Sequence, residues 1–304
     1  MSRFGRGELF AALAAIGYGS AYVATAFALR SFEPLPVAVY RTLLAGAGLL
    51  VVLWLARRGR PAAVAGPLPR PLVRATHLAI IALCGGPIFL GAMNLAVAGV
   101  GPTIASFVAG LYAVLAAVLA PFLLRERLRP AALVGFLAAL LGTALLAQLD
   151  FGGPGTGGIG WGLVAAVSFA LFLVLSRKWS RSDGFDPLVV ALANMVATAV
   201  GLGGLLLLLD PGAFRPGDIV PEAVVAVAWL GLVAGGGQAL AVMAVRLVPA
   251  SRSSAFLLLN PIAATLLSVV LLGQAPTALQ AVGGLLVLAG IAAATIPFRF
   301  RRFG

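Results

Sequence analysis

The chain has 304 residues, of which 62% are hydrophobic and only 10% charged, with a net charge of +12. Its mean hydropathy is +1.09, so it lacks the polar surface a soluble domain of this size needs, and an all-α integral membrane protein is expected. One cysteine, Cys84, and one histidine, His77, exclude an intramolecular disulfide and any Cys-based metal cluster, and leave little for acid–base or metal chemistry.

A membrane-spanning helix needs about 20 mostly apolar residues. Ten such runs follow in order: 8–29, 36–56, 72–97, 101–123, 129–148, 158–178, 187–209, 221–246, 250–272 and 276–297. Turn chemistry separates most of them, as at Glu33-Pro34-Leu35-Pro36, the Arg/Pro stretch 57–71, Gly152-Gly153-Pro154-Gly155 and Asp210-Pro211-Gly212. Two long apolar runs need an internal cut. One cut falls at Gly99-Val100-Gly101-Pro102 and the other between Arg246 and Pro249. The first run begins near Leu9 and is long enough to span, so no cleavable signal peptide is expected.

The charges sort by side. With the N-terminus in the cytoplasm, 18 of the 21 basic residues fall on the inner face, and only Arg30, Arg41 and Arg215 fall on the outer one. The positive-inside rule then puts both termini inside and explains the basic balance as orientation charge, which removes the nucleic-acid reading.

An internal repeat refines this picture. Val100–Thr143 falls on Val248–Ile291 at an offset of 148 residues without a gap, bringing Ser106 onto Ser254, Leu111 onto Leu259 and Gly135 and Gly142 onto Gly283 and Gly290. Each copy holds five spans, so the second must enter the membrane from the opposite face. The loop Arg125-Glu126-Arg127-Leu128-Arg129 is accordingly matched by the uncharged Gly273-Gln274-Ala275-Pro276-Thr277. Two inverted five-helix repeats, residues 1–148 and 149–304, are expected around a central cavity.

The segment Leu111 to Gly142, with Leu124-Arg125-Glu126-Arg127-Leu128, Gly135 and Gly142, resembles the EamA-type repeat of the drug/metabolite transporter superfamily. So does Leu259-Asn260-Pro261 followed by Leu272-Gly273-Gln274, Gly283 and Gly290. Ala14-Ala15-Ile16-Gly17-Tyr18-Gly19-Ser20 and Tyr40-Arg41 are similar too. The chain departs from the pattern at Ala113, which stands opposite Pro261, and at Gln274, where a Glu is usual. Within the superfamily it is most similar to the YddG-type aromatic amino-acid exporters of bacterial inner membranes. The resemblance implies export of amino acids and related small metabolites; another metabolite or a drug is the alternative cargo.

Ionisable residues at membrane depth are costly and mark function, and here they are nearly absent. Arg41 lies a turn or more inside the second span. It reads either as a snorkelling interface arginine or as a cavity group that meets a substrate carboxylate. His77, at the start of the third span, reads as a satisfied interfacial histidine before a proton carrier. The neutral cavity candidates are Tyr18, Ser20, Tyr22, Asn94, Ser106, Tyr112, Ser168, Phe169, Asn194, Gln238, Ser254 and Asn260. Each can instead be an interhelical packing or hydrogen-bonding residue, worth about 0.6 kcal/mol. Gly85, Gly86 and Pro87, matched by Gly235, Gly236 and Gly237, and Pro261 are hinge candidates, because Pro removes a helix hydrogen bond and Gly permits close approach. Gly135, Gly142, Gly283 and Gly290 sit two turns apart in pairs and read as helix-packing positions.

No P-loop is present, so ATP does not drive the protein directly, and no cofactor or metal is expected. An enzyme would need paired carboxylates, a Ser/His pair or a metal cluster, and the sequence offers none at depth. The expected partners are a small-molecule substrate and the lipid bilayer, with a monomer as the working unit. Proton coupling is left open, since no titratable group in the pathway can be named.

Overall fold

The computed structural model describes residues 5–57, 71–124, 130–146, 155–185, 187–247 and 259–295. These residues form helices joined by short turns, with no strand among them. In hydrocarbon a helix alone satisfies its own backbone donors and acceptors within one segment, which is why so apolar a chain folds this way. The helices are α1 (Arg6–Ala28), α2 (Pro34–Arg57), α3 (Pro71–Leu83), α4 (Phe89–Gly110), α5 (Tyr112–Leu124), α6 (Pro130–Leu146) and α7 (Thr156–Asp183). They continue with α8 (Pro187–Val196), α9 (Gly203–Leu209), α10 (Pro221–Leu247), α11 (Leu259–Leu272) and α12 (Ala278–Thr295). Single π-helical segments, Cys84–Ile88 and Ala197–Leu202, join α3 to α4 and α8 to α9.

Four described runs are long and apolar enough to cross a membrane: Arg6–Ala28, Pro71–Leu124, Thr156–Trp179 and Val189–Leu209. Shorter apolar helices accompany them. Side chains such as Phe122, Val200, Leu208 and Val270 are 70% or more exposed, an apolar rim suited to lipid.

The run Pro71–Leu124 does not cross in one line. Gly101 has φ 75° and ψ 169°, in the half of the map that L side chains avoid. A methyl group placed on Gly162 would meet Val108 at 2.8 Å and Ala96 at 3.8 Å. Twelve residues of straight helix span about 18 Å, so α4 folds back at Gly101, inside the cut expected there. The cut expected between Arg246 and Pro249 runs into residues 248–258, outside the described residues, as do Ser254 and the loop 125–129.

The two copies are interleaved. α1 packs chiefly on α10 and α11, and its repeat mate α7 packs on α4 and α5. Thus the first helix of each repeat-matched half lies against helices of the other half. α6 and α12 form a further pair by close backbone contact. A methyl on Gly142 would sit 2.5 Å from the Gly283 carbonyl, and one on Gly290 would sit 2.5 Å from the Gly135 carbonyl. Since 135 and 142 are the mates of 283 and 290, the contacts are reciprocal and the helices antiparallel, as a local two-fold axis requires.

The turns gather at two ends. Ser31 donates to the Asp218 carbonyl at 2.8 Å and accepts from the Val220 N–H, while Gly217 N–H donates to the Ser31 carbonyl. Tyr40 donates to the Phe214 carbonyl and packs edge-on against Phe32 and Phe214. Gly101 faces Gln274, and Gly99 packs on Gly158. These contacts join turns that the charge pattern assigns to the outer side. At the other end, the 71–77 and 183–185 segments meet. His77 Nδ1 lies 2.7 Å from Asp183 Oδ2, its ring is stacked on Trp179 at 4.1 Å, and Arg74 lies over Phe185.

The Asp183 carboxyl is held below its ordinary value of 3.8, first by the His77 hydrogen bond and then by the Ser182 hydroxyl. A depressed carboxylate stabilises the fold fully above its unfolded value, and the contribution is lost as pH falls through the lower folded value. The α3–α7 tie is therefore present at neutral pH and lost in acid, below 3.8. Thermal unfolding of wild type and His77→Ala should converge as the pH falls through that range.

Candidate functional site: a cleft between repeat-equivalent segments

Helix α4 ends at Gly110 and α5 starts at Tyr112. The repeat mates of Leu111 and Tyr112 are Leu259 and Asn260, the first described residues of α11, followed by Pro261. A small cleft lies between these two places, lined by Gly110, Tyr112, Ala113, Asn260, Pro261 and Ile291. Equivalent positions of both copies therefore face each other across one space, as a two-fold axis through the cleft would place them.

Aromatic and neutral polar groups surround it. Phe169 of α7 meets Tyr112 edge-on at 4.9 Å and continues into Phe89 at 4.4 Å and Phe172 at 5.1 Å. On the opposite side, a methyl on Gly19 of α1 would lie 2.5 Å from the Asn260 carbonyl, so α1 and α11 touch there through their backbones. Tyr18 and Tyr22 flank Gly19 on one face of α1, four residues apart. Both lie within electrostatic reach of Tyr112 and of Arg41. Arg41 itself is only 4% exposed, which is not the position of a snorkelling side chain. Of the sequence candidates, Tyr112 and Asn260 thus line the cleft, Phe169 packs on Tyr112, and Tyr18, Tyr22 and Arg41 stand within electrostatic reach.

The other sequence candidates are engaged elsewhere or undescribed. Ser20 points away from the Tyr18–Tyr22 face; its hydroxyl donates to the Gly17 carbonyl and accepts from Trp229 Nε1 at 2.9 Å. Ser106 donates to the Thr103 carbonyl within its own helix. Ser168 donates to the Cys84 carbonyl at 2.8 Å, satisfying a backbone group of the π segment. Asn94 is fully buried and ties α4 to the start of α2 by donating to the Pro34 carbonyl, with its own Oδ1 left without a partner. Asn194 packs beside Gly85 and Gly86, and its Oδ1 is likewise unpartnered. Gln238 stands on α10 with its side chain outside the described set, and Ser254 lies outside the described residues altogether.

The glycine breakers behave unequally in the two copies. Gly85, Gly86 and Pro87 form the π segment Cys84–Ile88, whereas Gly235, Gly236 and Gly237 continue α10 as regular helix. The symmetric break expected from the sequence is thus present in one copy only, and Pro87 accounts for it: no proline stands in the matching turn. The second π segment, Ala197–Leu202, lies against the first through Thr198 and Asn194, both close to Gly86. It contains no proline, and the one cue in the sequence is Thr198 four residues after Asn194, whose hydroxyl donates to the Asn194 carbonyl.

No group of three or more His, Cys, Asp or Glu side chains fit to hold a metal occurs among the described residues. The arrangement offers aromatic faces, amides, phenols and one guanidinium, a set that binds and orients a small molecule.

Comparison with known proteins agrees with this architecture. The EamA-like transporter family matches residues 5–148 and again 156–296. No curated protein matches the chain. Among solved structures 26 chains match. One of them, a crystal structure of a protein 25% identical to this one, superposes with a TM-score of 0.65 over 95% of this chain and 96% of that one. With two copies of its repeat covering nearly the whole length, the chain belongs to the EamA-like transporter family, a group of multi-pass membrane transporters and not enzymes.

Proposed function

We propose that the protein is a secondary transporter that exports amino acids, aromatic and other neutral ones, and related metabolites across the bacterial inner membrane. In this reading ten spans form two inverted five-helix copies with both termini in the cytoplasm, and alternating access exposes the shared cleft to each side in turn. The observation that carries it is the cleft at which Tyr112 and its repeat mate Asn260 face one another. Its lining of one phenol and one amide among apolar groups, with the Phe169 ring against Tyr112, suits a zwitterion with an apolar side chain. Such a lining separates side chains weakly, since an extra methylene is worth about 1–3 kcal/mol, so the selectivity is broad.

The test is counterflow in proteoliposomes loaded with unlabelled amino acid, with labelled amino acid outside, with and without a proton gradient. Accumulation of label supports the reading. Exchange of a different metabolite or drug in the absence of any amino-acid exchange replaces the cargo. Indifference to the proton gradient makes the protein a facilitator.

A further inference from the structure

Arg41 sits seven residues into α2, about 10 Å from the start of the helix. Neither water nor lipid reaches it, at 4% exposure. Its Nε and Nη1 are buried and have no hydrogen-bond partner. An unpaired ion in such a place is costly, and the usual escape, loss of the proton, is closed to a guanidinium. No carboxylate of the described residues answers it: Glu8, Glu33, Asp183, Asp210, Asp218 and Glu222 all stand at helix ends or in connecting turns, and Asp183 is taken by His77. The phenols Tyr18 and Tyr22 of α1 lie within electrostatic reach of Arg41, and these flank Gly19, the residue in backbone contact with Asn260 at the cleft. A buried cation without a counter-ion among the described residues, within electrostatic reach of two phenols that flank the glycine at the cleft, is a half-site.

We propose that Arg41, with the hydroxyls of Tyr18 and Tyr22, is the seat for a carboxylate of the cargo, so that the transported class is small monocarboxylates, amino acids among them, and not amines or amides of the same shape. A single guanidinium matches the single charge of a carboxylate, and the ion pair forms on desolvation, where a charge-assisted bond is strongest. The proposal rests on the transporter reading and narrows its cargo.

The experiment measures competition for counterflow by the full-length protein in proteoliposomes, using phenylalanine, phenylalanine amide, phenethylamine, 3-phenylpropionate and inorganic phosphate. In wild type, phenylalanine and 3-phenylpropionate should compete at least about tenfold better than the amide and the amine, the worth of one charged hydrogen bond. Arg41→Gln should bring that ratio close to one, and Arg41→Lys should restore part of it; a residue that only supports packing would change the rate and leave the ratio alone. Equal competition by acid and amide in wild type overturns the seat, as does an Arg41→Gln protein that keeps the wild-type ratio. Competition by phosphate and not by carboxylates overturns the assigned class.

If neither Arg41 variant folds, thermal stabilisation of wild type by 3-phenylpropionate but not by phenethylamine reads the same preference, and equal stabilisation contradicts it. If no amino acid is transported, the amino-acid reading fails by itself. The seat is then judged on the compound that is transported: a cargo without a carboxylate overturns it.

Discussion

Gly142→Ala and Gly290→Ala should each lower the stability of the protein by about 1–3 kcal/mol, the usual cost of overpacking, and by similar amounts. A methyl on Gly142 would sit 2.5 Å from the Gly283 carbonyl and 2.8 Å from the Val287 amide, and one on Gly290 would sit 2.5 Å from the Gly135 carbonyl and 2.9 Å from the Ala139 amide. All of these neighbours are backbone, so no rotamer change relieves the clash; α6 and α12 must separate. In lipid, where there is no hydrophobic drive between helices, that separation forfeits the dispersion contacts that hold them together. Leucine at either position should abolish folded material. The controls are internal. Methyl groups on Gly160 and Gly204 meet nothing within 4 Å, so Ala there should be neutral or add about 0.5–1 kcal/mol by relieving the backbone entropy of glycine. Thermal unfolding of the detergent-solubilised variants decides the matter. A Gly142→Ala protein as stable as Gly160→Ala would refute the close contact.

Asn260→Phe should reduce the initial counterflow rate at least tenfold, about 1.4 kcal/mol or more of barrier, while Ser106→Ala stays within about twofold of wild type. Asn260 and Tyr112 line the same cleft, and a ring in place of the amide occupies the space that cargo needs. Ser106 was an equally good candidate by residue type, but its hydroxyl is spent on the Thr103 carbonyl one turn away. Loss of such an intrahelical bond has little bearing on the cleft. Folding is checked by a monodisperse elution profile. A plugged variant that transports normally would move the pathway elsewhere.

These contrasts mark where sequence reasoning reaches. The apolar, helical character of the chain was legible because lipid demands long apolar helices, and the turn at Gly101 because Gly-Val-Gly-Pro is turn chemistry inside an apolar run. The packing role of Gly142 and Gly290 followed from their spacing and was then seen in the backbone contacts. Within the site, the separation of Ser20 from Tyr18 and Tyr22 was available from the 100° step of a helix, which turns residue 20 away from its neighbours at 18 and 22. What was not legible depends on tertiary placement. Nothing local in α1 tells that it lies on α10 and α11 of the other copy. Depth along α2 did not reveal that Arg41 is enclosed, because α2 is covered by α10 and α4, which lie far from it in the sequence. Ser168 reads as a pore hydroxyl until the π segment presents the Cys84 carbonyl to it.

All of this rests on the two copies passing through the membrane in opposite senses, and Arg30 and Lys178 test that most directly. They are repeat equivalents, 148 residues apart, and both are exposed. In a Cys84→Ser background, Arg30→Cys and Lys178→Cys are each treated with a membrane-impermeant maleimide in intact cells and in inside-out vesicles. Inverted copies require Arg30→Cys to react in cells only and Lys178→Cys in inside-out vesicles only. Reaction of both from the same side would contradict the inverted architecture and with it the alternating-access cleft.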